Sequence, residues 1–545
     1  MAWLGGLTLL ALWLRGTSTG TLREELKVWQ FWSLEICVLL GIVVAIGTWA
    51  GARSGLARRD GLWMTALAGF AVALTLLVAP RANRIFYDEH IYQGIGQNLA
   101  DARLAQVCND GQLSGGRLRC ASGEYNKQPY AYPHLLSVAY RIAGVHEWVA
   151  FAVNAAVMAF TACAVYLLAI ALFGDRQAAI FAALLIAIIP EQLMWSATAA
   201  VEPSASLACA LALLCAANYG RRGGSWRAAA LVISSAYAVQ FRAESVLILP
   251  VAGALAWPRL RSELSLPRGW WLAVSGLVLL AAHIGHLFAV RSVAWGTDAP
   301  RFSLGYVIAN FRVNGRFYLI DERFPVVVTL LALLGLLAER SSRDRWLLAL
   351  YFFLFFGIDL VFYAGSYNYG ADVRYSLMTY PPLAVLGGLG AARLARWSGT
   401  LAPALPGAAV VGALLGFQFL WYAPVVRGAT EGAWAARADV QFARRVAAQL
   451  PPESYVLTQN PAMFHLWGVN AGQMSQVLAV PAYAKVLETR FTGGIYVHWN
   501  FWCNVQDPAQ PEICRRAMAL GHTDLVTEYR ERDQRYAFYR LKIAN

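Results

Sequence analysis

The sequence has few charged residues and none of the loops that soluble enzymes use to hold nucleotides. Only 14% of its 545 residues are charged and 58% are hydrophobic, whereas charged residues make up about a quarter of an average soluble domain. It contains no Walker loop and no dinucleotide fingerprint. The alternating pattern of a membrane barrel is also missing. These absences favour an all-α polytopic membrane protein and argue against nucleotide chemistry.

Cysteine and histidine are too sparse to suggest a metal-binding scaffold. The eight histidines show no metal-site spacing apart from His283 and His286, which are one helical turn apart. Four of the eight cysteines lie inside apolar runs and are expected to be buried thiols. The other four form two local pairs, for which disulfides are expected and four free thiols are the alternative. The pairs are Cys108 with Cys120 and Cys503 with Cys514.

Apolar runs recur along the first 424 residues and predict about 11 to 13 transmembrane helices. They lie at roughly 1–15, 28–50, 61–80, 148–173, 177–195, 203–219, 228–241, 245–257, 270–290, 325–338, 346–364, 376–394 and 401–421. Run 1–15 can be read as a span, as a re-entrant helix or as a segment like a signal peptide.

Arginine-rich loops predict the orientation of these spans. The net charge of +13 comes largely from short loops of the kind that face the cytoplasm, so it does not indicate a nucleic-acid partner. Alternating the spans places five such loops, near residues 53–59, 221–227, 259–268, 340–345 and 393–396, on one side. The sequence therefore predicts a multi-pass protein of the plasma (inner) membrane, with loop 81–147 and the C-terminal tail outside the cytoplasm.

The composition changes at about residue 425, where the chain becomes polar and mixed. A helical stretch at 433–450 precedes strand-like segments at 454–458, 494–498 and 524–527. We expect a transmembrane domain over 1–424, with a catalytic outer loop at 81–147, and a small extracytoplasmic α/β domain over 425–545. Within the outer loop, Ile91, Ile95 and Leu99 recur at near-helical spacing and predict short amphipathic helices at the interface.

The outer loop opens with Asp88 and Glu89, two adjacent carboxylates just beyond an apolar run. Such a pair suits a base that takes a proton from a hydroxyl, or a ligand for a hard divalent ion. The alternative is helix capping by Asp88.

Further charged residues stand at predicted outer helix ends. Glu202 precedes a proline and can cap a helix or join Asp88. Lys127 and Arg374 can bind a phosphate, or can anchor the chain at the lipid headgroups. Arg242 and Glu244 lie in an apolar stretch and are expected to pair with each other or to face a cavity.

Together these residues form four short motifs that resemble the GT-C superfamily of membrane glycosyltransferases, with protein O-mannosyltransferases and lipid A aminoarabinose transferases as the nearest look-alikes. The motifs are Asp-Glu-x-x-Tyr at 88–92, Lys-x-Pro at 127–129, Glu-Pro at 202–203 and Arg-Tyr at 374–375. The resemblance implies the GT-C fold over about the first 420 residues. Gln128 interrupts the Lys-Pro-Pro that is usual in the family, two apolar segments precede the Asp88 span, and the tail resembles no named module.

The resemblance implies a transferase that moves a sugar from a polyprenyl-phosphate donor to an acceptor hydroxyl on the outer face of the membrane, with inversion. Asp88 would be the base or a metal-linked acid, and a divalent ion (Mg, Mn or Ca) would lie at Asp88 and Glu202. The acceptor would be a cell-envelope polysaccharide, lipid or protein. The implied residues are Asp88, Glu89 and Glu202 for catalysis, Lys127, Arg374, Tyr375 and Arg301 for the donor phosphate, and Tyr92, Tyr130 and His134 for acceptor or lipid contact.

Two other functions compete with this one. A transporter or flippase of lipid-linked saccharides predicts charges near mid-membrane and internal repeats, whereas no repeat is found and the charges cluster at the helix ends. A glycan-binding scaffold would leave Asp88, Lys127 and Arg374 without a common purpose.

Overall fold

The computed structural model of the protein describes residues 12–13, 15–52, 58–85, 87–263, 267–293, 299–337, 342–368, 372–401 and 406–543, together with residues 5 and 8. Run 1–15 lies for the most part outside these residues.

Helices dominate the first 432 residues of the described chain. They are α1 (Thr19–Ala52), α2 (Arg58–Leu77), α3 (Asp88–Ala102), α4 (Ala131–Ala143), α5 (Glu147–Phe173), α6 (Arg176–Ile188), α7 (Pro190–Ser196), α8 (Glu202–Arg222), α9 (Ser225–Ala238), α10 (Ile248–Glu263), α11 (Pro267–Val290), α12 (Val307–Ile320), α13 (Val326–Leu337), α14 (Arg343–Val361), α15 (Tyr380–Leu401) and α16 (Gly407–Gly432). Short 3-10 turns lie at Ala243–Leu247, Leu304–Tyr306 and Asp372–Thr379.

Seven helical stretches in the described residues are long and apolar enough to cross a membrane, and the bent pair α6 and α7 gives an eighth. The protein is therefore a multi-pass membrane protein. The number is lower than the 11 to 13 expected, because several predicted spans fold as shorter helices. Helix α9 has 14 residues and α13 has 12, fewer than the roughly 20 that a full crossing needs.

Contacts divide the chain into two units. Unit 1 contains Met1–Arg81, Lys127–Ala131 and Ala152–Ala429, and unit 2 contains Ala82–Asn126, Tyr132–Phe151 and Thr430–Asn545. Most of the expected outer loop thus belongs to the same unit as the C-terminal tail, instead of to the helical part that surrounds it in the sequence.

Unit 1 is a helical bundle with tight crossings. Helix α15 packs against α13 and α6. Glycine permits the contact with α13, because a Cβ atom on Gly335 would lie 1.9 Å from the carbonyl oxygen of Leu386. Such small-residue crossings are typical of membrane helices, which gain packing energy by close backbone approach.

Unit 2 is built on a seven-stranded sheet. Its strands are β1 (Val107–Ser114), β2 (Arg117–Glu124), β3 (Tyr455–Thr458), β4 (Asn470–Gln473), β5 (Ile495–Trp499), β6 (Gly521–Glu531) and β7 (Gln534–Ile543). The spatial order is β2-β1-β4-β3-β5-β7-β6, with β3 parallel to β4 and β5 and the other pairs antiparallel. The three strands expected in the tail are confirmed. The helices of this region are α17 (Trp434–Ala447), α18 (Pro461–Leu466), α19 (Met474–Ala479), α20 (Pro481–Arg490) and α21 (Ala509–Met518).

The central strand β3 is buried on both faces of the sheet, to which its side chains point alternately. Val456 joins one apolar cluster with Phe464 and Phe538, whereas Tyr455 and Leu457 join another on the opposite face. Helix α3 is also packed inside unit 2, since Ile95 and Leu99 are fully buried. The helix expected in the outer loop is therefore present, but it packs against β1, β2 and α18.

Both expected disulfides are present. Cys108 is bonded to Cys120 across the β1–β2 hairpin, and Cys503 is bonded to Cys514. The remaining cysteines, Cys37, Cys163, Cys209 and Cys215, are free thiols, as their positions in apolar runs predict.

Candidate active site

The acidic pair of unit 2 lies at the start of α3. Asp88 is the first residue of the helix, and Tyr87 occupies the N-cap position without a side-chain capping bond. Asp88 therefore does not occupy the N-cap position, which was its alternative role. A carboxylate in the first helical turn interacts favourably with the helix dipole.

Glu89 shapes the loop that leads into this helix. Its Oε1 atom accepts hydrogen bonds from the backbone N–H groups of Arg84 at 2.6 Å and of Ile85 at 3.0 Å, and the side chain is fully buried. The two bonds fold the preceding residues back onto the helix. Glu89 thus acts on the backbone beside Asp88, which favours a supporting part in catalysis.

A second polar cluster fixes the same helix start. His90 and Asn83 both approach Glu147, the first residue of α5, with Asn83 Nδ2 donating to Oε1 at 3.0 Å and His90 Nε2 lying 3.5 Å from it. Trp467 Nε1 donates to the other carboxylate oxygen at 3.1 Å, and Arg444 forms an ion pair with it. No local pattern in the sequence predicts this cluster, because its members come from three distant segments.

Unit 1 contains Arg242 and Arg374, together with the glutamate that binds them both. Glu202 begins α8 and is fully buried, and its Oε1 atom accepts from Nε of Arg374 at 2.8 Å and from the guanidinium of Arg242. Arg242 also pairs with Glu244, as expected. Its bond to Glu202 was not foreseen.

Tyr375 completes this group. The guanidinium carbons of Arg242 and Arg374 lie 4.7 and 4.9 Å from the centroid of its ring, and Arg374 donates to its hydroxyl at 3.3 Å. Such cation–π contacts hold guanidinium groups in place. We call Glu202, Arg242, Glu244, Arg374 and Tyr375 the arginine cluster.

The Lys-x-Pro segment docks onto the same part of unit 1. The backbone N–H of Ala131 donates to the carbonyl of Gln240 at 3.1 Å, and Gln240 stands two residues before Arg242. The ring of His286 is hydrogen-bonded to the backbone of Lys127 and packs edge-on against Tyr130, with 5.6 Å between ring centroids. Histidine in α11 therefore supports the segment that carries Lys127.

Four other expected residues are placed as follows. Arg301 donates to the carbonyl of Val293 at 2.5 Å. Tyr92 and Tyr132 pack edge-on with 5.9 Å between ring centroids, and Tyr92 and His134 are buried. Tyr130 is buried as well, so contact of Tyr92, Tyr130 and His134 with an acceptor or lipid stays a prediction.

The surroundings of Glu202 do not fit a divalent cation. Two guanidinium groups already bind its carboxylate, and they would repel a metal ion. Within the described ranges, no three His, Cys, Asp or Glu side chains converge as metal ligands. The metal expected at Asp88 and Glu202 stays untested, and no step is assigned to it.

Comparison with known proteins agrees with this fold. The sequence model of a family described as dolichyl-phosphate-mannose-protein mannosyltransferase matches residues 127–286, which include Lys127, Glu202 and Arg242. A search of curated proteins gave no significant match.

Solved structures extend the similarity to most of the chain. The apo form of ArnT from Cupriavidus metallidurans has a TM-score of 0.54 at 14% identity, and its form bound to undecaprenyl phosphate has 0.52 at 15%, each over 89% of this chain and 98% of that one. The Archaeoglobus fulgidus oligosaccharyltransferase in the apo form has 0.50 at 12% identity, over 86% and 73%. The expected similarity to GT-C glycosyltransferases is confirmed, and the fold is theirs.

Proposed function

We propose that this protein is a glycosyltransferase that moves a sugar from a polyprenyl-phosphate donor to an acceptor hydroxyl on the outer face of the plasma membrane. The observation that carries the proposal is the arginine cluster, in which the buried carboxylate of Glu202 orients both Arg242 and Arg374. A phosphate leaving group gains negative charge in the transition state, and preoriented cations stabilise it.

Arginine suits this task because its planar fork binds phosphate through two N–H groups and stays charged at all relevant pH values. Within the cluster, Glu202 and Glu244 balance the charges of Arg242 and Arg374. Lys127, which lies in the segment docked beside Gln240, supplies the remaining positive charge. We assign donor phosphate binding to Arg242, Arg374 and Lys127, with Tyr375 holding the two guanidinium groups.

We assign the role of general base to Asp88. An acceptor hydroxyl becomes a competent nucleophile when a carboxylate takes its proton as the new bond forms. Glu89 accepts hydrogen bonds from the backbone of the loop that precedes Asp88. Direct attack by the hydroxyl, with the lipid phosphate leaving from the opposite face, inverts the sugar carbon.

Three observations support a lipid-linked donor and an outer site. One similar structure contains undecaprenyl phosphate. The two disulfides lie in unit 2, with Asp88, and disulfides persist outside the cytoplasm. The arginine-rich loops of the sequence are predicted on the opposite side of the membrane.

Transfer of radiolabelled sugar from a panel of polyprenyl-phosphate sugars into cell-envelope material tests the proposal. Membranes that contain the wild-type protein should transfer at least one sugar, and matched membranes without the protein should not. Reconstituted vesicles that move a lipid-linked donor across the bilayer without transferring its sugar would favour the flippase instead. If sugar transfer continues in the presence of a metal chelator, Asp88 acts as the base and not as a metal-linked acid.

A further inference from the structure

Tyr87, the residue before Asp88, has an unusual backbone conformation. Its φ of 54° and ψ of −26° lie in the left-handed region, which is disfavoured for a bulky side chain. Three other described residues apart from glycine have positive φ, namely Arg103, Glu453 and Arg532, and all three are exposed. Tyr87 is buried. A strained conformation inside a packed region persists only when the surrounding contacts hold it.

A chain of buried hydrogen bonds holds this tyrosine. Its hydroxyl donates to Oδ2 of Asp439 at 2.7 Å, and Oδ1 of Asp439 lies 3.1 Å from Nε2 of His498. Nδ1 of the same ring lies 3.1 Å from the hydroxyl of Thr458. Asp439, His498 and Thr458 are all fully buried.

Each group in this chain has a hydrogen-bond partner. If Nε2 carries the proton and donates to Asp439, then Nδ1 accepts from Thr458, so that each group has a partner. The ring is also stacked on Phe538 with 4.8 Å between ring centroids, which fixes its plane. Burial, and next the charge of Asp439, hold the pKa of Tyr87 well above its usual range, so its hydroxyl stays a donor.

The chain of hydrogen bonds from Tyr87 ends in the sheet of unit 2. His498 is on β5 and Thr458 ends β3, two neighbouring parallel strands of the sheet. Asp439 is in α17. The bond from Tyr87 thus joins the residue beside Asp88 to side chains more than 350 positions further along the chain.

We propose that Asp439 is a positioning residue for Asp88, and that through Tyr87 the C-terminal segment sets the direction in which α3 presents this carboxylate. The inference rests on the proposed function, because it needs Asp88 to act on an acceptor. It gives the C-terminal segment a part in catalysis that requires no contact with substrate. Misplacement of a catalytic group by about 1 Å costs about 100-fold in rate.

The Tyr87→Phe variant tests this inference, because it removes only the hydroxyl. We expect kcat for sugar transfer to fall about 10- to 100-fold, with the KM of the acceptor within about twofold of wild type. Tyr455→Phe is the matched control. It also removes a buried tyrosine hydroxyl that donates to a buried aspartate of unit 2, Asp110, at 2.7 Å, but Tyr455 lies on β3. It should keep wild-type kcat.

Variants at Asp439 separate positioning from folding. Asp439→Asn keeps an oxygen that accepts from Tyr87 and should retain most activity, whereas Asp439→Ala should lose as much as Tyr87→Phe. Thermal unfolding of each variant is measured alongside. Wild-type kcat in Tyr87→Phe would overturn the inference, as would an equal loss in Tyr87→Phe and Tyr455→Phe. Failure of the proposed function would appear differently, as the absence of transfer in the wild-type protein.

Discussion

The guanidinium of Arg374 donates to the carboxylate of Glu202 at 2.8 Å, although the two residues are 172 positions apart in the chain. The carboxylate is fully buried, while the Arg374 side chain keeps 11% of its surface exposed. The second carboxylate oxygen of Glu202, Oε2, has no hydrogen-bond partner among the residues that the structure describes. A buried carboxylate depends on such partners, because removing one leaves a charge uncompensated. Glu202 and Arg374 therefore form one functional group, and a change in either alters how the other binds phosphate.

Glu202→Gln should weaken activity less than Asp88→Asn. Glutamine keeps an oxygen for the two arginines but removes the charge that orients them, so we expect the KM for the lipid donor to rise and kcat to fall, with kcat/KM lower by about 10-fold. Steady-state kinetics with varied donor measures both. Glu322→Gln, at an exposed position of the same unit, is the control. Equal and total loss in Glu202→Gln and Asp88→Asn would contradict this ranking.

Arg374→Lys should bind the lipid donor less tightly than the wild-type protein, but more tightly than Arg374→Gln. Lysine keeps the charge but lacks the planar fork and the contact with the Tyr375 ring. We expect the donor KM to rise roughly 10-fold in Arg374→Lys and about 100-fold in Arg374→Gln, since a hydrogen bond between charged groups contributes about 1.5–3 kcal/mol. The exposed Arg261→Gln controls for net charge. If lysine restored wild-type KM, phosphate binding by the guanidinium fork would be excluded.

Loss of the Cys108–Cys120 bond should destabilise unit 2. The bond closes a loop with a sequence separation of 12, and removal of such a cross-link costs about 3 kcal/mol. Reducing agent should lower the melting temperature of the wild-type protein, and should lower it less in the Cys108→Ser/Cys120→Ser variant, where only the second disulfide remains to be broken. Cys215→Ser, which replaces a free thiol, should behave as wild type. Unchanged melting after reduction would count against a stabilising role.

Unit 2 should lose stability in mild acid through His465. Burial lowers the pKa of this histidine to about 4, below the value of about 6.5 expected in the unfolded chain. The folded state therefore favours the neutral ring, so its contribution is complete above about pH 6.5 and is lost as the pH falls toward 4, by about 3 kcal/mol.

Melting temperatures of unit 2 between pH 7 and pH 4.5 check this expectation. His465→Gln, which does not titrate, should show a smaller fall than wild type, whereas His522→Gln, at an exposed position, should follow wild type. Equal falls in all three proteins would exclude His465 as the cause.

The fold followed from the sequence where local patterns determine it. Apolar runs located most helices, short strand-like segments located β3, β5 and β6, and the two local cysteine pairs located both disulfides. The hairpin β1–β2 was not predicted, because Asn109, Asp110 and Gly111 interrupt any β-branched run. Its place in the sheet depends on pairing with β4, some 360 residues away in the chain, and no local signal specifies such a partner.

The candidate site was likewise predictable only where a local pattern in the sequence marks its residues. Glu202 and Arg374 were recognisable because each precedes a predicted span beside a proline or a tyrosine, and Lys127 because it lies in a short Lys-x-Pro motif of the outer loop. Arg242 was seen only as a partner of Glu244, and its bond to Glu202 joins residues 40 positions apart. Asp439 resembles any aspartate of an amphipathic helix until the fold brings it to Tyr87.

The most direct test of the account compares sugar transfer by Asp88→Asn with transfer by Asp533→Asn, which changes an exposed aspartate in the turn between β6 and β7. Both proteins are assayed in purified membranes with a donor that the wild-type protein uses, at equal amounts of folded protein. We expect Asp88→Asn to lose at least about 100-fold in kcat, as for loss of a general base, and Asp533→Asn to retain wild-type transfer. Transfer by Asp88→Asn at the wild-type rate would contradict the assignment of Asp88 as the catalytic base.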